Sequence, residues 1–386
     1  MENKTIKYIA SYDFDSNKSE NRVNALSSTN KINYILGVLN DLGYDVEIIS
    51  TSHTMNKKCY SGKEIVCGRN KLHLFPTTWR GGTFFKIINM IVQNTFLCFF
   101  LLRHVKKGEK IMIYHSYGYL WIYYLLHAKG AKIISECEEI YGDIFGNEKL
   151  SKNEKKALKG SYAYIYPTRL LNRVVNKTNA PYLVVHGAYK DLGAKYFPDK
   201  CVDKTIFENG KCHVAYTGIL DPRKGCIDFV RAAEYLDQNY HIHVLGFGGE
   251  DELKILNETI SEVSKRTKCV ITYDGTLKGR AYSDYLSCLN LGICTLSTDA
   301  GFISTQFPSK IISYLSAGVR VLCSDIEAIK TSDVAAAITF YSGNKPFDIA
   351  QGIVAAKNDA RHIDTQSLLK GCDEKFHQEL HILLTL

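Results

Sequence analysis

Short apolar segments without polar alternation recur along almost the whole chain, and helical patterns separate most of them. A strand that is apolar on both faces is typical of a parallel sheet covered by helices. Two successive series of this size predict an α/β fold with two Rossmann-like, doubly wound parallel-sheet domains. The segments are IKYIAS, DVEIIS, KLHLF, KIMIYH, AKIISEC, YAYIYP and YLVVHG in the first series, and KCHVAYTG, YHIHVLG, CVITYDG, LGICTLS, VRVLCSD and AITFYSG in the second.

The two series set the predicted domain bounds. The first domain spans 1–190, a polar linker spans 191–210, and the second domain spans 211–365. Ligands of such sheets bind at the carboxyl ends of the strands, so we expect the domains to face a central cleft. The apolar helical pattern over 366–386 leaves two alternatives open, packing back across the first domain or an oligomer contact.

Charge is distributed unevenly between the two halves. The chain carries a net +8, of which residues 1–190 contribute +12 and the remainder −4. The first half therefore favours an anionic partner, namely a membrane surface, a phosphorylated substrate or nucleic acid. The positive charge is scattered and forms no basic-aromatic module, which argues against nucleic acid.

The twelve cysteines include no Cys-x-x-Cys pair and lie singly, several of them within apolar runs. This pattern is typical of free thiols in a reducing cytosol. The sequence starts with a strand rather than an apolar signal segment, so we expect a cytoplasmic protein.

One apolar stretch, 84–102, has nearly the length of a membrane-spanning helix. It contains Lys86, Asn89, Gln93 and Asn94, so we interpret it as an amphipathic or largely buried helix, with a domain-core helix slightly favoured. The cationic sequence RHVKKGEK follows it, and the alternative is an apolar face resting on an anionic bilayer.

Three segments of the second half carry the chemistry. In AYTGILDPRKGCIDF a strand ends at Gly218, and Arg223 and Lys224 precede a helix whose free amides suit a phosphate. In HVLGFGGEDEL, Gly246 and Gly248 permit a ligand to approach the backbone.

The third segment is DAGFISTQFPSKIISYLSAGVRVLCSD. Phe307, Ser309 and Lys310 lie at the start of its helix, where an anion could bind.

In this order and spacing, the three segments resemble the nucleotide-sugar half of GT-B glycosyltransferases, especially glycosyltransferase family 4. Lys224 matches the Lys of that family's G-R-L-x-x-x-K-G segment, whereas Ile219 stands at its Arg position. FPSK and YLSAG match the family's E-x(7)-E element, whose two Glu positions are Thr305 and Ser313 here. The resemblance implies donor contacts from these residues, a nucleoside-diphosphate sugar (UDP-sugar favoured), retention of configuration, and no metal or other cofactor.

The first half resembles the acceptor domain of the same enzymes. Arg22 and Asn24 follow the first strand and are predicted to line the acceptor site or cleft. His115 ends a strand, matching a His that the family places near the anomeric carbon. Glu138 and Glu139 are candidates to orient the acceptor hydroxyl or act as general base.

We therefore predict a glycosyltransferase that acts on a hydroxyl of a lipid-linked or oligosaccharide acceptor in surface polysaccharide biosynthesis. A cytoplasmic location is expected, and the alternative is a peripheral location at the inner face of the cell membrane. Two alternatives stay open, a sugar-nucleotide epimerase of the same fold and a non-catalytic sugar-nucleotide-binding subunit of a glycosylation complex.

Overall fold

The computed structural model describes residues 4–23, 26–79, 81–190, 204–221, 224–296 and 305–386. The chain divides into two compact units. Unit 1 comprises Met1–Val185 with Lys375–Leu386, and unit 2 comprises His186–Glu374.

Unit 1 is built on an eight-stranded sheet in the order β3-β4-β2-β1-β5-β6-β7-β8. Its described strand pairs are parallel, except that β3 pairs antiparallel with β4. The strands are β1 Lys4–Ala10, β2 Tyr44–Ser50, β3 Lys63–Cys67, β4 Asn70–Leu74, β5 Lys110–Tyr114, β6 Lys132–Glu136, β7 Ala163–Tyr166 and β8 Tyr182–Val184. The helices are α1 Leu26–Asp41, α2 Thr83–His104, α3 Leu120–Ala128, α4 Tyr141–Ile144, α5 Glu148–Leu158 and α6 Arg169–Val175.

Unit 2 has a six-stranded, fully parallel sheet in the order β11-β10-β9-β12-β13-β14. Its strands are β9 Cys212–Ile219, β10 Tyr240–Phe247, β11 Val270–Tyr273, β12 Leu291–Cys294, β13 Arg320–Ser324 and β14 Ile338–Tyr341. Its helices are α7 Cys226–Ala232, α8 Glu250–Val263, α9 Gly279–Leu286, α10 Lys310–Ser316, α11 Glu327–Lys330 and α12 Pro346–Lys357.

Each unit has a hydrophobic core of its own. The core of unit 1 includes Ile9, Ile113 and Tyr164, and that of unit 2 includes Tyr216 and Phe229. Runs of apolar residues along the strands build both cores, which confirms the predicted α/β fold with parallel sheets.

The last helix, α13 Thr365–Thr385, begins in unit 2, and its final residues belong to unit 1. Within unit 1, Phe376 stacks on Tyr34 with 5.7 Å between ring centroids, and Lys110 Nζ donates to the carbonyl oxygen of Leu384 at 2.7 Å. This segment therefore completes the packing of α1 and the sheet of unit 1.

Helix α2 corrects the favoured interpretation of residues 84–102 as a core helix. Among the described residues it is the one helix long and apolar enough to cross a membrane, and 22% of its apolar window is buried. The buried positions include Asn89 and Gln93, whereas Phe84 and Phe99 are 68% and 69% exposed. The polar side of this helix packs inward, and much of its apolar side faces outward.

Candidate functional site

Two glycines lie opposite each other at the carboxyl ends of β9 and β10. Gly218 and Gly246 are register partners, and Gly218 has a φ of 126° that favours glycine. A Cβ on Gly246 would lie 1.8 Å from the carbonyl oxygen of Gly218. No side chain therefore fits at residue 246. Gly246 is buried, and its N–H donates to the carbonyl oxygen of Gly275 at 2.7 Å. Its carbonyl oxygen accepts the hydroxyls of Tyr273 and Thr276 at 2.9 and 3.0 Å.

Two lysines converge near this glycine pair. Lys310 Nζ lies 3.7 Å from the centroid of the Tyr216 ring, and a Cβ on Gly218 would lie 3.8 Å from the same nitrogen. Burial lowers the pKa of Lys310, and the neighbouring ammonium of Lys224 lowers it as well, although nearby thiols act in the opposite direction. In the described part of the chain, no carboxylate forms an ion pair with either lysine. Among the described residues, the pair is thus an uncompensated cationic site.

The local backbone fixes Lys224. Gly225 precedes α7 with a φ of 72°, and a Cβ there would lie 2.7 Å from Thr295. The Thr295 hydroxyl donates to the carbonyl oxygen of Lys224 at 2.8 Å.

A hydroxyl network ties α10 to the end of β9. The Tyr314 hydroxyl accepts from the backbone N–H of Thr217 at 3.0 Å and donates to the carbonyl oxygen of Ala215 at 3.1 Å. The Tyr282 hydroxyl lies 3.0 Å from Thr217 Oγ1, and the Ser313 hydroxyl donates to the carbonyl oxygen of Ser309 at 3.4 Å. Ser313, predicted as a donor contact, is therefore engaged within unit 2.

The other predicted donor residues occupy different environments. Phe307 is buried, and its ring centroid lies 4.5 Å from that of His186, which makes it a packing residue. Ser309 is exposed at the start of α10, and Thr305 and Gly248 are half-buried. Arg223 lies outside the described residues.

In unit 1, the predicted catalytic His115 is buried directly after β5. Its Nε2 lies 2.8 Å from Glu154 Oε1, and Glu154 also accepts the backbone N–H groups of Tyr141 and Gly142 at 3.0 and 2.6 Å. His115 Nδ1 is buried and has no partner among the described residues. The ring is held in one orientation, and its catalytic role stays a prediction.

The acidic cluster after β6 contains one buried carboxyl. Glu136 accepts the Tyr8 hydroxyl, and burial raises its pKa to about 7. Glu138 pairs with Lys31, whose Nζ also donates to the carbonyl oxygen of Val185 at 3.1 Å. Glu139 is half-buried. Glu138 is thus already paired with a cation, and the role of Glu138 or Glu139 as a base stays a prediction.

Arg22 does not fit its predicted role at the acceptor site or cleft. Its side chain is buried, and its three nitrogens donate to Glu20, to the carbonyl oxygen of Ser52 and to the carbonyl oxygen of Phe75 at 2.7, 3.0 and 3.1 Å. The guanidinium holds the loops of unit 1 together, and its side chain has no exposed surface where an anion could bind. Asn24 lies outside the described residues.

Comparison with solved structures decides the fold. The chain superimposes on an α,α-trehalose-phosphate synthase (UDP-forming) from Burkholderia vietnamiensis with a TM-score of 0.73 at 10% identity, covering 100% of this chain and 99% of that one. It also matches the E. coli trehalose-6-phosphate protein bound with UDP-2-fluoro glucose (TM-score 0.70, 13% identity, 98% of each chain). The chain has the GT-B fold. A third match is sucrose-phosphate synthase from Thermosynechococcus elongatus (TM-score 0.66, 13% identity, 98% of this chain and 94% of that one).

No protein-family profile and no curated protein matches the sequence. The membership of this GT-B chain in glycosyltransferase family 4 therefore stays a prediction.

Sequence reasoning missed two residues of the candidate sites. Lys31 lies on α1 without any local signal, and Glu154 belongs to EKLSKNEKKAL, where it resembles any exposed acid. The sheet places β1, β5 and β6 side by side, and the packing of α1 and α5 on it brings Lys31 to Glu138 and Glu154 to His115.

Proposed function

We propose that the protein is a glycosyltransferase whose unit 2 binds a nucleoside-diphosphate sugar, with UDP-sugar favoured. The observation that carries this proposal is the uncompensated pair of Lys224 and Lys310 beside the Gly218–Gly246 edge. Ammonium groups without a carboxylate partner suit a diphosphate, and they stabilise the negative charge that develops when it leaves. The UDP-forming activity and the UDP-sugar analogue named for the structural neighbours support this donor class.

Two apolar side chains complete the proposed donor site. Ile219 and Phe247 are register partners, and each is 46% exposed at the same edge of the sheet. They offer apolar surface to a base or sugar ring next to the cations. Ile219 stands at the position where glycosyltransferase family 4 has an Arg.

The donor is tested by thermal unfolding of the full chain with UDP, GDP, dTDP and CMP, each with and without EDTA. At ~100 times Kd, the right nucleotide adds ~2.7 kcal/mol to the free energy of unfolding. We expect a shift with one nucleoside diphosphate that EDTA leaves unchanged. No shift with any nucleotide would contradict the donor site.

Matched variants locate the bound diphosphate. Lys224→Ala and Lys310→Met each remove one charge-assisted contact of ~1.5–3 kcal/mol, which corresponds to a roughly 10–100-fold weaker nucleotide affinity. Lys254→Ala on α8 is the control and should bind as the wild type does.

Nucleotide binding without turnover alongside acceptors would favour a binding subunit, and conversion of the donor alone would favour an epimerase.

We further propose that the acceptor is lipid-linked and that unit 1 meets it at an anionic membrane on the cytoplasmic side. The exposed apolar side of α2 supports this proposal, and Arg103, Lys106 and Lys107 are exposed at its end. Apolar burial in a bilayer together with cationic attraction to anionic lipid is the usual basis of interfacial binding. None of the eleven described cysteines forms a disulfide, which supports a reducing compartment.

Vesicle co-sedimentation tests this acceptor proposal. We expect the protein to bind phosphatidylcholine vesicles that contain phosphatidylglycerol, and to bind less as salt rises. Replacing Phe84, Ile91 and Phe99 by Ser should abolish binding, whereas Ile255→Ser on α8 should not. Absence of vesicle binding together with turnover of a soluble sugar phosphate would replace the lipid-linked acceptor, in line with the phosphorylated products named for the neighbours.

A further inference from the structure

Three buried histidines lie together on one face of the sheet of unit 2. His213 is on β9 and His241 and His243 are on β10, and one ring nitrogen from each lies within 4.8 Å of the others. His213 and His241 are register partners, and the rings of His241 and His243 stack with 3.8 Å between centroids. Phe207 covers the group, with its ring centroid 5.1 and 5.2 Å from those of His213 and His243.

The hydrogen bonds around the cluster fix where its protons are. The Asn209 amide is oriented by its Nδ2 donating to the carbonyl oxygen of Ile206 and its Oδ1 accepting from the N–H of Lys211, both at 3.0 Å. His213 Nε2 lies 3.1 Å from that same Oδ1 and must carry the proton of its ring. His213 Nδ1 then presents a lone pair.

His243 also has one protonated ring nitrogen and one that presents a lone pair to the cluster. Its Nδ1 lies 2.7 Å from Asp274 Oδ2, an oxygen that also accepts the Tyr285 hydroxyl at 2.6 Å. The carboxylate can only accept, so His243 Nδ1 carries the proton and Nε2 presents a lone pair. Nε2 lies 2.9 Å from His213 Nδ1. Two lone pairs therefore face each other at hydrogen-bond distance with no proton between them.

His241 adds an independent observation. It is buried, and its Nδ1 has no partner among the described residues. An unsatisfied buried nitrogen beside two facing lone pairs is costly unless a cation or a shared proton occupies the cluster.

We propose that His213, His241 and His243 bind a divalent transition metal, with zinc as the natural occupant. Imidazole nitrogens suit zinc, and ~2.0–2.1 Å Zn–N bonds in a tetrahedral site place two ligand nitrogens about 3.4 Å apart. In this cluster His213 Nδ1 and His243 Nε2 are 2.9 Å apart, and the three nitrogens lie within 4.8 Å of one another. Asp274 orients His243 through its Nδ1–H, an arrangement that zinc sites commonly use.

This site is separate from the candidate donor site. His213 is near the amino end of β9, and Gly218 is five residues further along the strand, which corresponds to roughly 16 Å. The metal would therefore hold β9 to β10 and take no part in sugar transfer, so this inference does not rest on the proposed function.

Cobalt(II) titration of the EDTA-treated and desalted full chain tests the site, followed by visible absorption and by displacement with Zn²⁺. We expect one equivalent with the d–d bands of a four-coordinate site, and a rise in thermal unfolding temperature on metal addition. Asp274→Asn should weaken cobalt affinity about 10–100-fold, and His241→Gln should weaken it at least as much.

His127→Gln is the matched control, because its ring also has a buried nitrogen without a described partner but lies in unit 1, outside the cluster. It should still bind one equivalent. Circular dichroism in EDTA checks that each variant folds, and the wild-type titration decides the outcome if His241→Gln does not fold. Folded wild-type protein that binds no cobalt would overturn the proposal and indicate a shared proton, and so would an Asp274→Asn protein that binds as tightly as the wild type.

Discussion

Glu136 shows how one buried carboxyl couples the stability of unit 1 to pH. It lies at the end of β6 with no exposed surface, and burial is the main reason that its pKa rises from 4.5 to about 7. The native state therefore holds a proton between about pH 4.5 and 7 that the unfolded chain has released. The contribution of Glu136 to the free energy of unfolding is fully present below this window and is lost as the pH rises through it.

Glu136→Gln should remove this dependence, because the amide has the shape of the protonated acid and never ionises. We expect the variant to gain about 3 kcal/mol in the free energy of unfolding relative to the wild type between pH 4 and 8, because the pKa of Glu136 rises from 4.5 to about 7. Urea unfolding at each pH measures the difference. Glu258→Gln on the exposed side of α8 should run parallel to the wild type, and a Glu136→Gln curve that does the same would contradict the assignment.

Gly246 marks the limit of sequence reasoning at the residue scale. The cluster of glycines after a predicted strand indicated that a ligand could approach the backbone there. The structure supplies a further reason for glycine, because a Cβ would overlap the carbonyl oxygen of Gly218. That contact joins two strands, and the register between them cannot be predicted from the local sequence of either strand.

At the scale of elements, the apolar runs predicted most strands of both sheets to within one or two residues. The strand Lys63–Cys67 was missed because it is short, largely exposed and antiparallel at the edge of its sheet. Helix α2 was placed correctly, but its orientation was not. Its polar residues face inward because backbone groups of neighbouring loops need hydrogen-bond partners. Hydrophobic periodicity does not report which backbone groups need such partners.

Asn89 tests this reversed orientation of α2. Its side-chain oxygen accepts the Thr77 hydroxyl and the backbone N–H of Thr78, both at 2.9 Å. Asn89→Leu should cost about 1–3 kcal/mol in the free energy of unfolding, because those buried donors lose their acceptor. Phe99→Ser on the exposed side should change it by less than about 1 kcal/mol in the absence of lipid. Urea unfolding compares the two, and a stabilising Asn89→Leu would show that the polar side is not packed as described.

At the scale of the whole molecule, the sequence predicted the two domains of the fold, whereas the roles of the donor and acceptor residues stay predictions. Arg22 had the charge that an anion needs, yet three internal acceptors occupy it. Charges and strand ends can be identified in the sequence. Which charges remain uncompensated depends on contacts between residues far apart in the chain. Lys224 and Lys310 remain so among the described residues, and Arg22 and Lys31 do not.

Because each unit has its own core, we expect calorimetry to resolve two unfolding transitions. Phe376 belongs to unit 1 and Phe229 to unit 2, and both are buried. Phe→Ala at such a position costs about 3–5 kcal/mol, so each variant should lower one transition by roughly 10 °C and leave the other in place. The nucleotide that binds Lys224 and Lys310 should raise the transition that Phe229→Ala lowers. A single transition lowered equally by both variants would show instead that the two cores unfold together.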